Sequence, residues 1–289
     1  MSRFIVTNDD GVFAPGIQAL VDALRPLGEV QVVAPASNQS ASGHKKTLFR
    51  DIHVEEVTMA DGTPAYAVDS APADCIALCG LGLCEWPPQL VVSGINRGAN
   101  MGQDVTYSGT VTAALEATIH GVPALAVSKE VLVADESDEL REYEHAAQLA
   151  AQVASRILER GLPPFTILSL NVPAVESRGL RLTRQGVRIY NDVLRRNGSH
   201  YQIAGDPPTG DVDEVGTDLW AVHRGFASLT PLHLDLTRHR FLAELSAWDL
   251  PWRNQEVFNE RDAMSPGRST GDPSYGDFAG SGKSGPPPR

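Results

Sequence analysis

Basic charge is what this sequence most lacks. Its 289 residues hold 24 Lys and Arg against 36 Asp and Glu, a formal net charge of −12. A surface that tracks a phosphate backbone needs a basic face, and none is visible, so duplex nucleic acid is excluded as a main partner. A small anionic substrate stays open, because one metal ion or one loop can outweigh the global charge locally. Cysteine is scarce as well: Cys75, Cys79 and Cys84 all fall within ten residues. An odd number on a helical stretch does not make a disulfide framework, and the spacing is not the paired C-x-x-C of structural zinc. Buried or half-buried thiols are expected. No apolar run reaches membrane length, no basic-apolar leader precedes the first strand, and no repeat is present; a cytoplasmic protein without membrane contact is expected. The remaining composition, 42% hydrophobic and 21% charged, is ordinary for a globular chain.

What is present is alternation. Short apolar runs at Phe4–Thr7, Val30–Ala34, Leu90–Ser93 and Ala124–Ser128 read as buried strands. Between them, Ile17, Leu20, Val21 and Leu24 recur at i, i+3, i+4 and i+7, which places them on one helix face. Ala73, Ile76 and Ala77 do so more weakly, in a helix started by Ser70 with Pro72 in its first turn. Val111, Ala114, Leu115 and Thr118, and then Ala146, Leu149, Ala150, Val153 and Ile157, repeat the pattern. Strands alternating with helices predict βαβ units and an α/β fold, a mostly parallel sheet with helices on both faces. Further on, Thr166–Leu170, Leu180–Arg184 and Asp218–Thr230 read as strands, and 185–218 as loops and hairpin strands added to the core. Ser265–Arg289 holds six glycines, five prolines and five serines, too little to supply a core. The expected division is an α/β domain over 1–252, with its core at about 1–130 and 140–184 and an extension at about 185–252, then a low-complexity tail over 253–289.

In such sheets ligands bind beyond the carboxyl ends of the strands, and the polar residues gather there. The first strand delivers Asn8-Asp9-Asp10. The second delivers the loop from Ala36 to His44, and LVVSG delivers Ile95 to Asn100, followed by Tyr107-Ser108-Gly109-Thr110 at a helix start. Two carboxylates with a serine hydroxyl and an asparagine carbonyl form an all-oxygen set, which hard divalent cations prefer; no histidine sits in NDDG or SGIN. The competing reading is that Asp9 and Asp10 cap a turn or helix. Ser108 and Gly109 open a helix, whose outward amides and positive dipole end suit phosphate, unless Ser108 is simply a cap. Two carboxylates nearly neutralise a divalent cation, so a phosphate dianion calls for more positive charge. His44, Lys45, Lys46 and Arg97 are the nearest candidates, each also readable as a solvated surface charge.

Taken in order, NDDGVFAPGIQAL, VVAPASNQSASG, SAPADCIAL, VVSGINRGANMGQDVTYSGTVTAALEA and GTDLWAVHRGFASLTPLHLDLT resemble the SurE family of stationary-phase survival proteins, over about residues 3–237. The resemblance implies a Rossmann-like core with a C-terminal hairpin and terminal elements that build dimers or tetramers. It implies metal-dependent hydrolysis of nucleoside 5′- and 3′-monophosphates, with one divalent cation per subunit, Mg²⁺ or Mn²⁺. Carried over by motif, Asp9, Asp10, Ser40 and Asn96 would hold the cation and Asn8 would stand beside it. Ser108, Gly109 and Thr110, with Asn96, would surround the phosphate, and the loop through Gly43 and His44 would border the substrate. This chain departs from the family pattern at Gly43–Thr47, at Thr112, where a glycine is usual, and at Ser70-Ala71, where Gly-Thr is usual.

The reaction these residues imply is attack of water on a phosphomonoester, with Asn8 orienting water or phosphate, Asp10 a candidate proton acceptor, and Asn96 and the Ser108–Thr110 amides stabilising charge. An aspartyl-phosphate route needs two aspartates separated by one residue, whereas these are adjacent. A module that binds nucleotide or phosphate without turnover is the non-enzymatic alternative.

Overall fold

A computed structural model describes residues 2–131, 138–248 and 250; the low-complexity tail lies outside the described residues. In chain order the elements begin with β1 (Ser2–Thr7), α1 (Pro15–Leu24), β2 (Gly28–Pro35), β3 (Val54–Thr58), β4 (Pro64–Val68) and α2 (Pro72–Leu78). Then come β5 (Leu90–Arg97), α3 (Gly109–Ile119), β6 (Ala124–Lys129), α4 (Glu144–Arg160), β7 (Thr166–Val172) and β8 (Leu180–Leu182). The chain continues through β9 (Arg188–Asn197), β10 (His200–Gly210), α5 (Asp218–His223), β11 (Ala227–His233) and α6 (His239–Ser246).

Among the described residues nine strands form one sheet in the order β3-β4-β2-β1-β5-β6-β7-β11-β8. Pairing is parallel throughout the centre and antiparallel only at β3–β4 and β7–β11. The central strands are apolar on both faces because both faces are covered. Phe4 and Val6 of β1 pack with Ile17, Leu20 and Leu24 of α1 and with Ala146, Ala150 and Val153 of α4. Ile5, pointing the other way, packs with Cys75 and Ile76 of α2 and with Val111 and Ala114 of α3. The expected α/β architecture is therefore the observed one. Cys75 and Cys79 are buried, Cys84 is half-buried, and all three are free thiols.

Two expectations are corrected, and one hairpin is additional. The stretch 218–230 is not one strand: Thr217 caps the short helix α5, its hydroxyl accepting from Trp220 N–H, and the strand begins only at Ala227. Helix α2 is preceded by Ala71, not by Ser70; the Ser70 hydroxyl instead donates to Asp74 and lies 2.9 Å from Thr47 Oγ1. The β3–β4 hairpin was not foreseen, because half-exposed Val54-Glu55-Glu56-Val57-Thr58 carries too weak an apolar alternation.

The chain divides into Met1–Asp235 and Leu236–Arg289. In the first unit β9 and β10 form the expected antiparallel hairpin, a separate two-stranded ribbon. In the second, α6 carries Phe241, whose ring meets Trp248 edge-on. Among the described residues no helix is long and apolar enough to cross a membrane.

Candidate active site

β1 lies between β2 and β5, so the strand order reverses direction at β1. The loops leaving these three parallel strands open on one edge, where doubly wound sheets take their ligands. The first loop is shaped by Asn8, which is fully buried. Its Nδ2 donates to Gly11 O at 2.8 Å, and Gly11 N–H donates back to Asn8 Oδ1 at 3.2 Å. Gly11 sits at φ +115°, where a side chain would strain the backbone. With its amide engaged at both ends, Asn8 holds the turn that presents Asp9 and Asp10.

Asp9 is buried and faces the start of α3. It accepts hydrogen bonds from the Thr110 hydroxyl and, at 3.3 Å, from Thr110 N–H. Gly109 packs directly on it: a Cβ there would stand 3.0 Å from Asp9 Oδ2 and 2.8 Å from Ser42 Oγ. Asp10 accepts from Arg97 N–H at 3.0 Å and from Asn38 Nδ2 at 3.4 Å, and Gln39 N–H donates to Asp9 O at 2.7 Å. These contacts draw the loops bearing Ser40, Asn96 and Ser108 around the carboxylate pair. Asn96 Nδ2 donates to Gly98 O at 2.7 Å, which leaves its carbonyl oxygen as the ligand-type atom. Ser40 is exposed, its N–H donating to Asn38 Oδ1 at 2.9 Å.

Burial dominates the electrostatics. It pushes the Asp9 carboxyl up, against hydrogen bonds from the Thr110 side chain and from the backbone of Asp9, Thr110 and Gly109. Burial also raises Asp10, to about 6; the Arg97 backbone N–H opposes this, while the charges of Asp9 and Asp138 add to it. Two adjacent carboxylates that burial makes reluctant to ionise, ringed by serine and asparagine oxygens, are what a hard divalent cation relieves. Ser42 Oγ strengthens the fit, being a buried hydroxyl with no hydrogen-bond partner beside Gly109 and Asp9.

The start of α3 has a different partner from the one its sequence suggests. The amides of Gly109 and Thr110 face Asp9, and Val111 N–H donates to Ser108 Oγ at 3.1 Å. In this structure the helix end thus stabilises a carboxylate of the chain itself. The candidate cations also have local partners. His44 Nε2 and Lys46 Nζ lie 2.9 and 2.8 Å from the two Glu116 oxygens, Arg97 Nε lies 3.6 Å from Asp138 Oδ1, and Lys45 is exposed.

The sequence marks Thr112 only as a departure from the family pattern, and gives Ser42 and Glu116 no role. Ser42 is one of three serines in its loop, with nothing local to mark it. Thr112, at a position where the family pattern has glycine, puts Oγ1 2.9 Å from Gly43 O and 2.8 Å from Ser108 O. Glu116 reads as an ordinary helix glutamate until its partners, about seventy residues earlier in the chain, are known.

Comparison with known proteins places the chain in a family. The family model described as "Survival protein SurE" matches residues 4–192. The chain is 49% identical over 254 residues to "5'-nucleotidase SurE" of Syntrophotalea carbinolica, covering 86% of this chain and 98% of that protein. It is 48% identical over 254 residues to the protein of the same description from Chloroflexus aggregans, covering 85% and 98%. The crystal structure of the SurE protein from Aquifex aeolicus superimposes with a TM-score of 0.72 at 37% identity, covering 84% of this chain and 98% of that one. The family model over most of the chain and these relatives, covered almost entirely, show that the chain belongs to the SurE family.

Proposed function

We propose that this chain is a cytoplasmic, metal-dependent phosphomonoesterase that hydrolyses nucleoside 5′-monophosphates, and 3′-monophosphates, to nucleoside and phosphate. The observation that carries the reading is the buried Asp9 carboxylate seated on Gly109 and Thr110, with Asp10 beside it and the loops of Ser40 and Asn96 closing around both. The relatives described as 5′-nucleotidases, at 49% and 48% identity, supply the substrate class.

Asp9, Asp10, Ser40 and Asn96 would hold one divalent cation, Mg²⁺ or Mn²⁺. Bound there, it would supply positive charge to a phosphoryl oxygen and make a nearby water more acidic. The rest falls to the chain's own groups. Ser108, Gly109 and Thr110, which border Asp9 at the positive end of α3, stand nearest the phosphoryl group in this reading. Ser42 Oγ offers that group a hydrogen bond, and the Asn96 side chain orients it. Asn8 keeps the aspartate loop in register through Gly11. Asp10 stands beside the water the cation would activate and is the candidate proton acceptor, but as a ligand of that cation it is a weak base and its main part is to hold the metal. Gly43 lies at the substrate rim, its N–H donating to Tyr107 O at 2.9 Å, and His44 follows it there.

Copies of the chain associate as a homodimer or homotetramer in this reading. Exposed Val193, Leu194 and Ile203 on the β9–β10 hairpin support it. Light scattering on a sizing column that gave a monomer at micromolar concentration would refute that part.

The functional test is phosphate release from a panel of 5′- and 3′-nucleoside monophosphates, after EDTA treatment and again with Mg²⁺, Mn²⁺, Ca²⁺ or Zn²⁺ restored. Turnover should vanish with chelation and return with Mg²⁺ or Mn²⁺. Folded protein that binds nucleotide but releases no phosphate with any of these metals would refute hydrolysis.

A further inference from the structure

Among the described residues, Glu116 is a deeply buried charge that the proposed chemistry leaves unused. Its side chain is 2% exposed, on the face of α3 that the 40–47 loop covers. A carboxylate there is costly unless it is fully partnered. Three nitrogen groups meet it: Lys46 Nζ at 2.8 Å, His44 Nε2 at 2.9 Å and His120 Nε2 at 3.2 Å. Burial works to raise the Glu116 carboxyl, but the hydrogen bonds from His120, His44 and Lys46 outweigh it and hold the group well below the ordinary carboxylate range.

His120 is the fixed member of this cluster. It lies one turn after Glu116 on the same helix, its ring meets Trp86 edge-on at 5.8 Å, and it fills the space that Gly80 leaves by having no side chain. His44 and Lys46 belong instead to the loop that carries Ser40, Ser42 and Gly43. That loop is laid along one face of α3 in register with the helix repeat. Ser42 sits at Gly109, Gly43 O accepts from the Thr112 hydroxyl, and His44 and Lys46 reach Glu116. Positions 109, 112 and 116 are one stripe of a helix. The first of them touches Asp9, so the stripe's far end fixes a loop whose near end lines the site.

We infer that Glu116 is a positioning residue of the hydrolytic site: by holding His44 and Lys46 it pins the 40–47 loop along α3 and so sets where Ser40 and Ser42 stand relative to Asp9. The charge of Lys46 is spent on this clamp rather than on substrate phosphate. The catalytic consequence rests on the phosphomonoesterase reading; the ordering of the loop does not.

The test is Glu116→Gln, nearly the same shape without the charge, measured in three ways. With turnover restored by Mg²⁺ or Mn²⁺, KM for the nucleotide and the metal concentration for half-maximal activity should each rise about tenfold, the scale of a lost charge-assisted hydrogen bond, while kcat stays within about threefold. In metal-free, substrate-free protein, amide hydrogen exchange over 41–46 should quicken by about tenfold or more while exchange in β1 and β5 is unchanged. Lys46→Met should reproduce part of both effects, and the double variant should add little to Glu116→Gln. A folded Glu116→Gln protein with wild-type KM, metal dependence and loop exchange overturns the proposal. Should Glu116→Gln not fold, Lys46→Met decides: an unchanged KM and unchanged loop exchange overturn it. Wild-type protein that hydrolyses nothing, with exchange quickened in Glu116→Gln, refutes the nucleotidase reading and upholds the loop clamp.

Discussion

Replacing Gly109 by alanine separates what helix propensity alone predicts from what the site dictates. Gly109 is the first residue of α3. On propensity the change would stabilise the helix, by at most about 1 kcal/mol. Crowding at the site opposes that gain. The new Cβ would lie 2.8 Å from Ser42 Oγ and 2.9 Å from Asp9 Cβ, closer than real Cβ contacts come, and 3.0 Å from Asp9 Oδ2, tighter than most. Forcing a methyl group into such a space costs about 1–3 kcal/mol. The net effect on stability therefore runs from nearly neutral to a loss of about 2 kcal/mol, a fall in Tm of at most about 8 °C at this chain length. Activity should suffer far more, because the side chain that must give way is Asp9, and displacing a reacting group by about 1 Å costs on the order of a hundredfold. Phosphate release from the best nucleotide of the panel, together with a thermal melt, reads both quantities. Adding Ser42→Ala removes the closest contact but neither of those to Asp9, so the double variant should stay slow. A Gly109→Ala protein that melts above the wild type and keeps kcat/KM within about threefold would refute the packing account.

Asp9→Asn should reduce phosphate release by at least about a thousandfold while Tm holds or rises, since a neutral amide bears burial more cheaply than a carboxylate; near-full turnover would contradict the ligand assignment. A pH dependence follows from Asp10. Its carboxyl stands at about 6 in the folded chain against an ordinary 3.8, so folding favours the protonated form. The stability this contributes is present below pH 3.8 and is lost as pH rises through about 6. At about 1.4 kcal/mol per pH unit the loss approaches about 3 kcal/mol in EDTA, and saturating Mg²⁺ should recover stability above pH 6. Melting curves across pH 4–7 would show it, and a slope that survives in Asp10→Asn would assign it to another group. Thr112→Val removes the hydroxyl that reaches Gly43 O. It should cost about 1 kcal/mol in urea denaturation and raise KM more than it lowers kcat; an equal fall in kcat would place Thr112 in the chemistry itself.

How much of this was legible beforehand differs by element. β1, β2, β5 and β6 could be read because central parallel strands are apolar on both faces, so the signal survives in one dimension. The β3–β4 hairpin could not, since its strands are short, polar and half-exposed, and α5 was misread because six residues hold too few turns for a helical period to show. The carboxylate pair stood out for a similar physical reason: Asp9 and Asp10 are neighbours in the chain, and their mutual repulsion is visible without a fold.

The sequence by itself determined which chemical groups could meet at the head of β1, because strand ends and glycine turns are local events and the residues that follow them are written in order. Only the tertiary structure decided which atoms actually pair. Asp9 meets Thr110 across 101 residues, and Lys46 meets Glu116 across 70. Placing β1 between β2 and β5 brings those segments together, and hydrogen-bond distances then commit Lys46 and His44 to Glu116 and the first amides of α3 to Asp9. A basic residue or a helix start in the sequence offers charge in general. Its partner is the group that burial leaves most in need of one, and burial is a property of the packed chain.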